Sequence, residues 1–340
     1  MSEKSLNMEM GNLVCRFGDK KVLLDLAEEV VIPCFFDEQL VRHFDKTSYF
    51  FHEVSIVMLT EGENEKVVGI SGRFIKDTTL EREQIYEKEK GLIKDTEYMR
   101  SSPSAIFLLI LNNHRLVYVQ ETRDAPSKES FRSTLLNFLN IKHKQYIENE
   151  YERLKMIHIE NQDKPRITKS ELYELNPKPK LELISLTSED SIEEFVKKYS
   201  ILKTIEISLS DRNDETDNDP FFEELQKRKD AMESTTSVVK HSNIKGLNKD
   251  KVINEISEAT AQGNQIVKLN GIDSDGDILR GNNEKFQLRK PIQNLHAKPQ
   301  RAANELYNSF IGLAADGLVK IPKTSEKAKA IINSLVQRLF

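Results

Sequence analysis

Asp211, Asp214, Glu215, Asp217 and Asp219 place five carboxylates within nine positions ahead of Pro220. Grouped carboxylates can hold the divalent cations that assist phosphodiester cleavage. Such sites draw their ligands from rigid strands and add a positioned lysine or histidine. This run occupies a loop instead, so it reads as a solvated loop, with a metal-dependent nuclease as the alternative. Gly271-Ile272-Asp273-Ser274-Asp275-Gly276-Asp277 lacks the lysine of a phosphate-cradling loop. Its Gly276 also comes too early for a calcium loop, which leaves a hairpin turn. The seven histidines, His43, His52, His114, His143, His158, His241 and His296, show no metal-ligand spacing. Cys15 and Cys34 fall on expected strands outside any Cys-x-x-Cys pair and read as small buried hydrophobes. The sequence assigns no catalytic residue, metal or cofactor.

The basic residues say more. The 340-residue chain has a formal charge of −5, yet from Lys285 to Phe340 ten Lys and Arg face three Asp and Glu, a net +7 that leaves −12 on residues 1–284. Such asymmetry suits one end to a polyanion, or places a basic face over an amphipathic helix pair. Upstream, Lys227, Arg228 and Lys229 end a helix, and Lys240, Lys245 and Lys249 follow closely. Arg289, Lys290, Lys298 and Arg301 then mark a strand exit and a helix entry. Gathered on one surface, these cations would grip a phosphate backbone, with little sequence preference and strong salt sensitivity. Aromatics such as Phe286 and Tyr307 are too few for base stacking to be the main mode.

The elements that must position them alternate between short apolar runs and amphipathic helices. Leu13–Phe17 and Val22–Leu26 flank a Gly18-Asp19-Lys20 turn, and Val30–Phe36 continues the strand pattern. Tyr49–Thr60 and Val67–Ile75 form a hairpin, and the charged Asp77–Arg100 reads as an insertion or protruding arm. Ile106–Leu111 and Leu116–Val119 make a buried hairpin across Asn112-Asn113-His114. Ser127 opens a helix with Phe131, Leu135 and Phe138 on one face, and His143–Lys155 reads as a further exposed helix. Pro165, Pro177 and Pro179 mark a linker over 159–180. Beyond it come strand Lys180–Leu186, helix Ser188–Tyr199, strand Leu202–Leu209, helix Pro220–Glu233 and strand Thr235–Lys240. An Asn248-capped helix, strand Gln265–Ile272 and an Ile278–Leu288 arm complete this part. Helices Lys298–Asp316 and Thr324–Phe340 close the chain.

The expected class is α+β: an N-terminal antiparallel-sheet domain (1–158), a split βαβ or ferredoxin-like domain (181–295) and a C-terminal helix pair (296–340). The helix pair is the expected dimer seam, because its apolar faces need burial. Two cysteines, a polar N-terminus and no apolar run of about 18–20 residues point to the cytoplasm.

Ile266-Val267-Lys268-Leu269, the turn ending Gly276-Asp277-Ile278-Leu279, the polar arm behind it and the alanine-bearing helix from Ala302 carry a resemblance. So does the hairpin Ile106–Val119 with its Ser-capped helix. In the order of these features the chain resembles the RexA-like phage-exclusion proteins of temperate phages and their bacterial relatives. The resemblance implies a cytoplasmic antiviral, abortive-infection protein. It would form homodimers, bind double-stranded DNA without catalysis, and work with a separate membrane or nuclease effector. A protein-interaction adaptor that binds no nucleic acid is the remaining alternative.

Overall fold

The computed structural model describes residues 5–61, 66–162, 165–213, 219–293 and 295–340. From Met8 onward nearly every residue of β1 (Leu6–Phe17) is buried, as a strand covered on both faces requires. A covered strand must also satisfy the hydrogen bonds of both its edges. One edge takes β8 (Arg115–Gln120), which pairs with Met8–Asn12. The opposite edge takes β14 (Arg289–Ile292) along Leu6–Glu9 and β9 (Pro179–Ser185) along Gly11–Phe17. The short β2 (Lys21–Val22) folds back onto the end of β1.

The same sheet continues outward from β8 through β7 (Ser104–Ile110), β5 (Lys66–Glu87), β4 (Thr47–Glu61) and β3 (Arg42–Phe44), all antiparallel. β7 shows why its sequence is continuously apolar: Phe107 and Leu109 point to one core, Ile106, Leu108 and Ile110 to the other. The first core lies under α2 (Lys128–Glu160), α1 (Ile32–Phe36) and α8 (Glu326–Leu339). Phe131 of α2 stands edge-on to Phe107 at 5.2 Å, Phe51 at 5.4 Å and Phe74 at 5.5 Å. The second core is covered by α7 (Pro299–Ala315), through Leu306, Phe310 and Leu313. β5 runs on past the sheet and pairs with β6 (Gly91–Ser101) as an exposed two-stranded ribbon, the arm expected at Asp77–Arg100.

A smaller antiparallel sheet has the order β11 (Ser237–Ser242), β10 (Tyr199–Leu209), β12 (Gln265–Asp273), β13 (Ile278–Asn282). α4 (Glu189–Lys197), α5 (Pro220–Ala231) and α6 (Lys249–Thr260) contribute to the core on one of its faces. Buried polar contacts join the two sheets. Asn12 Nδ2 donates to the Gly263 carbonyl and to Asn264 Oδ1, both at 3.2 Å, and Arg115 Nη2 donates to the Gln262 carbonyl at 2.9 Å.

The α+β class and the N-terminal antiparallel sheet are as the sequence implies. The ferredoxin-like order forms in part. β11 and β12 run parallel on either side of the antiparallel β10 and are joined by α6, a split βαβ. β9 leaves for the open edge of β1 instead of joining this sheet. Gly11 permits that pairing: a Cβ there would stand 2.7 Å from Leu183 Cδ1. The C-terminal helices spend their apolar stripes inside the chain, on opposite faces of the large sheet, which removes the reason for placing a dimer seam on them.

Leu23–Leu26, Ala27–Val31 and Ile32–Phe36 are 3₁₀, π and α turns rather than strands. Ala27, Val30, Val31, Cys34 and Phe35 recur at helical spacing, and Pro33 begins a helix more readily than it joins a ladder. Cys34 therefore lies on a helix and only Cys15 on a strand. Both are buried, and burial pushes the Cys15 thiol up to about 12. The helix expected at His143–Lys155 is the second half of a continuous α2, and the proline-rich 159–180 contains α3 (Lys169–Leu175). Among the described residues no helix is long and apolar enough to cross a membrane.

His143 on α2 stacks against Phe17 at 5.9 Å, and its Nε2 donates to the Asn176 carbonyl at 2.9 Å. Burial holds its pKa below the ordinary 6.5, against the hydrogen bond that favours the proton. Below pH 6.5 the unfolded chain therefore takes up a proton that the folded chain resists, so stability falls as pH drops through this window. Urea midpoints from pH 7.5 to 5 should fall in the wild type and flatten in His143→Gln; parallel curves would refute this assignment.

Candidate nucleic-acid interface

A strand with one face in a core offers its alternate residues to solvent. On β12, Val267 and Leu269 are buried while Lys268 and Asn270 are exposed. The pairing registers then assemble two rows across the open face of the small sheet. One runs Lys240, Glu206, Lys268, Asn282, the other Ser242, Thr204, Asn270, Arg280. With strands about 4.8 Å apart, each row spans about 14 Å. Lys240, Lys268 and Arg280 are its cations, and Glu206 is the one carboxylate among the residues that line a concavity of about 420 Å³ on this face. Lys240 hydrogen-bonds Glu206 at 2.6 Å and holds that carboxyl below its usual range. This leaves Lys268 and Arg280 as the uncommitted charges. Neither is among the cations singled out by local charge density. The alternation Val267, Lys268, Leu269, Asn270 was the available signal for the first.

The ten residues expected to face a duplex separate into several environments. Lys229 is a correction: its side chain is 2% exposed, with Nζ 3.1 Å from Asp211 Oδ1 and bonded to the Leu209 carbonyl. It anchors α5 to the end of β10 and cannot reach a phosphate. Lys227 and Arg228 are exposed but lie opposite Glu223 and Glu224 one helical turn away. Lys249 is half-buried and donates to the Tyr199 carbonyl. Arg289 pairs with Glu9 at 3.0 Å. Lys245, Lys298 and Arg301 are exposed with no acidic partner among the described residues, and Arg301 lies 3.4 Å from His296 Nε2.

Nor do the last four form one cluster. Lys298 and Arg301 stand at the start of α7, while Lys290 Nζ lies 4.0 Å from where a Cβ on Gly312 would be. Gly312 is eleven residues beyond Arg301, about 16 Å along the helix. Of the ten, Lys240 belongs to the sheet face. Lys245 follows from its edge strand in a loop whose Asn243 N–H bonds the Lys203 carbonyl of β10.

Beside this face a cleft of about 230 Å³ separates the sheets, with Glu182, Leu183, Ile184 and Glu284 in its walls. Ile266 and Asn282 line both the cleft and the sheet concavity, so the two adjoin. Beneath it lies Lys128, 5% exposed, a residue that charge counting passed over. Its Nζ donates to Ser185 Oγ and, at 2.5 Å, to Gln287 Oε1, with Glu284 at 3.6 Å and Glu9 at 3.7 Å. Burial pulls its pKa down and the two carboxylates oppose that pull. The group ties α2 to β1, β9 and the segment before β14.

In the acidic run, Asp211 is engaged by Lys229, and Asp219 caps α5 by accepting the Phe221 and Phe222 amides. Asp214, Glu215 and Asp217 lie outside the described residues. Among the described residues no group of three or more His, Cys, Asp or Glu side chains is arranged to hold a metal ion. No protein-family model matches the sequence, and no curated protein matches it significantly.

Lys229→Ala should strand Asp211 beside a buried carbonyl and cost about 2 kcal/mol, the order of a lost hydrogen bond to a charged group. Denaturant unfolding measures this. A variant as stable as wild type that binds DNA more weakly would restore Lys229 to the interface.

Proposed function

We propose that this chain is a non-enzymatic DNA-binding component of an antiviral defence or phage-exclusion system in the cytoplasm. It holds the backbone of double-stranded DNA with little sequence preference, acts as a homodimer, and passes its signal to a separate membrane or nuclease effector. The observation that supports DNA binding is the open, concave face of the small sheet. Three cations face one carboxylate there, and Thr204, Asn270 and Asn282 add hydrogen-bonding groups for phosphate oxygens. The face bears no aromatic side chain among its lining residues, which suits backbone contact over base stacking. The defence reading rests on the resemblance of the sequence, in the order of its features, to RexA-like proteins.

Phosphate contacts release counterions, so each one lost lowers the slope of log affinity against log salt by about 0.9. In a titration of duplex DNA at two salt concentrations, Lys268→Glu with Arg280→Glu should weaken binding about tenfold or more and flatten the slope by about two contacts. Lys298→Glu with Arg301→Glu should do less. Unchanged binding in the first variant would remove the sheet face from the interface.

A further inference from the structure

Past Thr78, β5 has left β4 and β7 behind and pairs with β6 alone. Two strands by themselves are marginal in water, so a ribbon with large apolar side chains in the open calls for cover. Residues two apart on a strand share a face, and so do residues directly opposite each other. Leu80 lies opposite Met99 at the base of the ribbon, and Tyr86 opposite Leu92 near its tip. Between them Arg82 pairs with Glu97 and Gln84 with Lys94, the extra residue of β6 being taken up in a bulge. These four pairs make one face. Its apolar members are exposed by 43% (Leu80), 60% (Met99), 70% (Tyr86) and 67% (Leu92). The opposite face carries Glu81, Glu83 and Glu87 along β5, three carboxylates that would repel a copy of themselves.

From base to tip the first face is apolar, charged, apolar, and the order is the same in reverse. A two-fold axis across the strands at Glu83 therefore stacks it on a second copy with its chemistry matched. Leu80 meets the second copy's Tyr86, Met99 its Leu92 and Glu97 its Lys94, each contact made twice. Lys94 has no acidic partner among the described residues of its own chain. Arg82, already engaged by Asp95 and Glu97, lies over the neutral Gln84. Stacking tip on tip is blocked. Leu80 shares its face of β5 with Phe74, which Phe131 of α2 covers at 5.5 Å, and stacked sheets lie only about 10 Å apart. We infer that this face of the ribbon is the surface on which two copies of the chain pair, head to tail. This pairing rests on the homodimer proposed above and supplies its seam, which the C-terminal helices do not. The eight side chains of each copy bury on the order of 1,000 Å² in total, at the low end of specific interfaces, so dilution dissociates the dimer.

Sedimentation of the full chain across micromolar concentrations tests the pairing. Wild type should pass from monomer to dimer, and Leu92→Glu with Met99→Glu should stay monomeric. Lys94→Glu sets carboxylate on carboxylate at two symmetric places and should raise the dissociation constant about tenfold or more. Adding Glu97→Lys to it restores opposite charges between the copies and should recover most of the loss. All these positions are exposed, and recovery by a second substitution is not something a misfolded chain would show. A dimer indifferent to every variant would overturn the ribbon assignment and leave the homodimer to another surface. Dimers lost in Lys94→Glu but not recovered by Glu97→Lys would overturn the head-to-tail order. A wild type that stays monomeric at every concentration would overturn both the ribbon assignment and the homodimer.

Discussion

Both edges of β1 are claimed, and by segments far apart in the chain. Gly11 and Asn12 bond β8 on one side and β9 on the other, while Met8 and Glu9 bond β8 and β14. The second half is thus laced into the first sheet at two places along a single strand. A one-residue slip in either pairing would turn buried side chains outward on a strand covered on both faces. The attitude of the small sheet follows from this pairing. β9 leads into α4 and β10, β14 is reached from β13, and Asn12 and Arg115 bind the 262–264 turn between α6 and β12. The cleft is the space left where β9 and β13 diverge after Thr187 and Gln287 have bridged.

Part of the charge asymmetry is spent within the fold. Arg289, Lys327 and Arg338, all in the basic C-terminal segment, meet Glu9, Asp25 and Glu28 near the other end of the chain. Exposed pairs of this kind contribute little stability each, but they offset three of the seven net positive charges of the last 56 residues. The cations that remain concentrated owe their position to strand alternation and register. A charge count weights every lysine equally and cannot separate Lys229, enclosed with Asp211, from Lys268, open to solvent.

What the sequence made legible follows from how local each signal is. The apolar hairpin at Ile106–Val119 and the Ser127 cap of α2 involve residues close in sequence, and both form as read. The α7 boundaries, with Pro299 at the start and Gly317 past the end, were equally local. The 22–36 segment departs from the strand pattern because burial at helical spacing, and not the apolar run itself, fixes its backbone. The partner of β9 depended on an edge some 170 residues away, which no periodicity encodes. Lys128 was invisible for a related reason: a lysine on an amphipathic helix is usually solvated, and its acceptors come from β1, β9 and the segment before β14.

Pairing Leu6–Glu9 with Arg289–Ile292 also has a consequence during synthesis. Ribosomes release proteins from the amino end, so this stretch of β1 waits for about 280 further residues before β14 covers its outer edge. Throughout that interval an apolar strand stands ready to template a foreign neighbour. Long-range closure of this sort is intrinsically slow, and a chain cut before residue 289 would keep this part of the edge of β1 open.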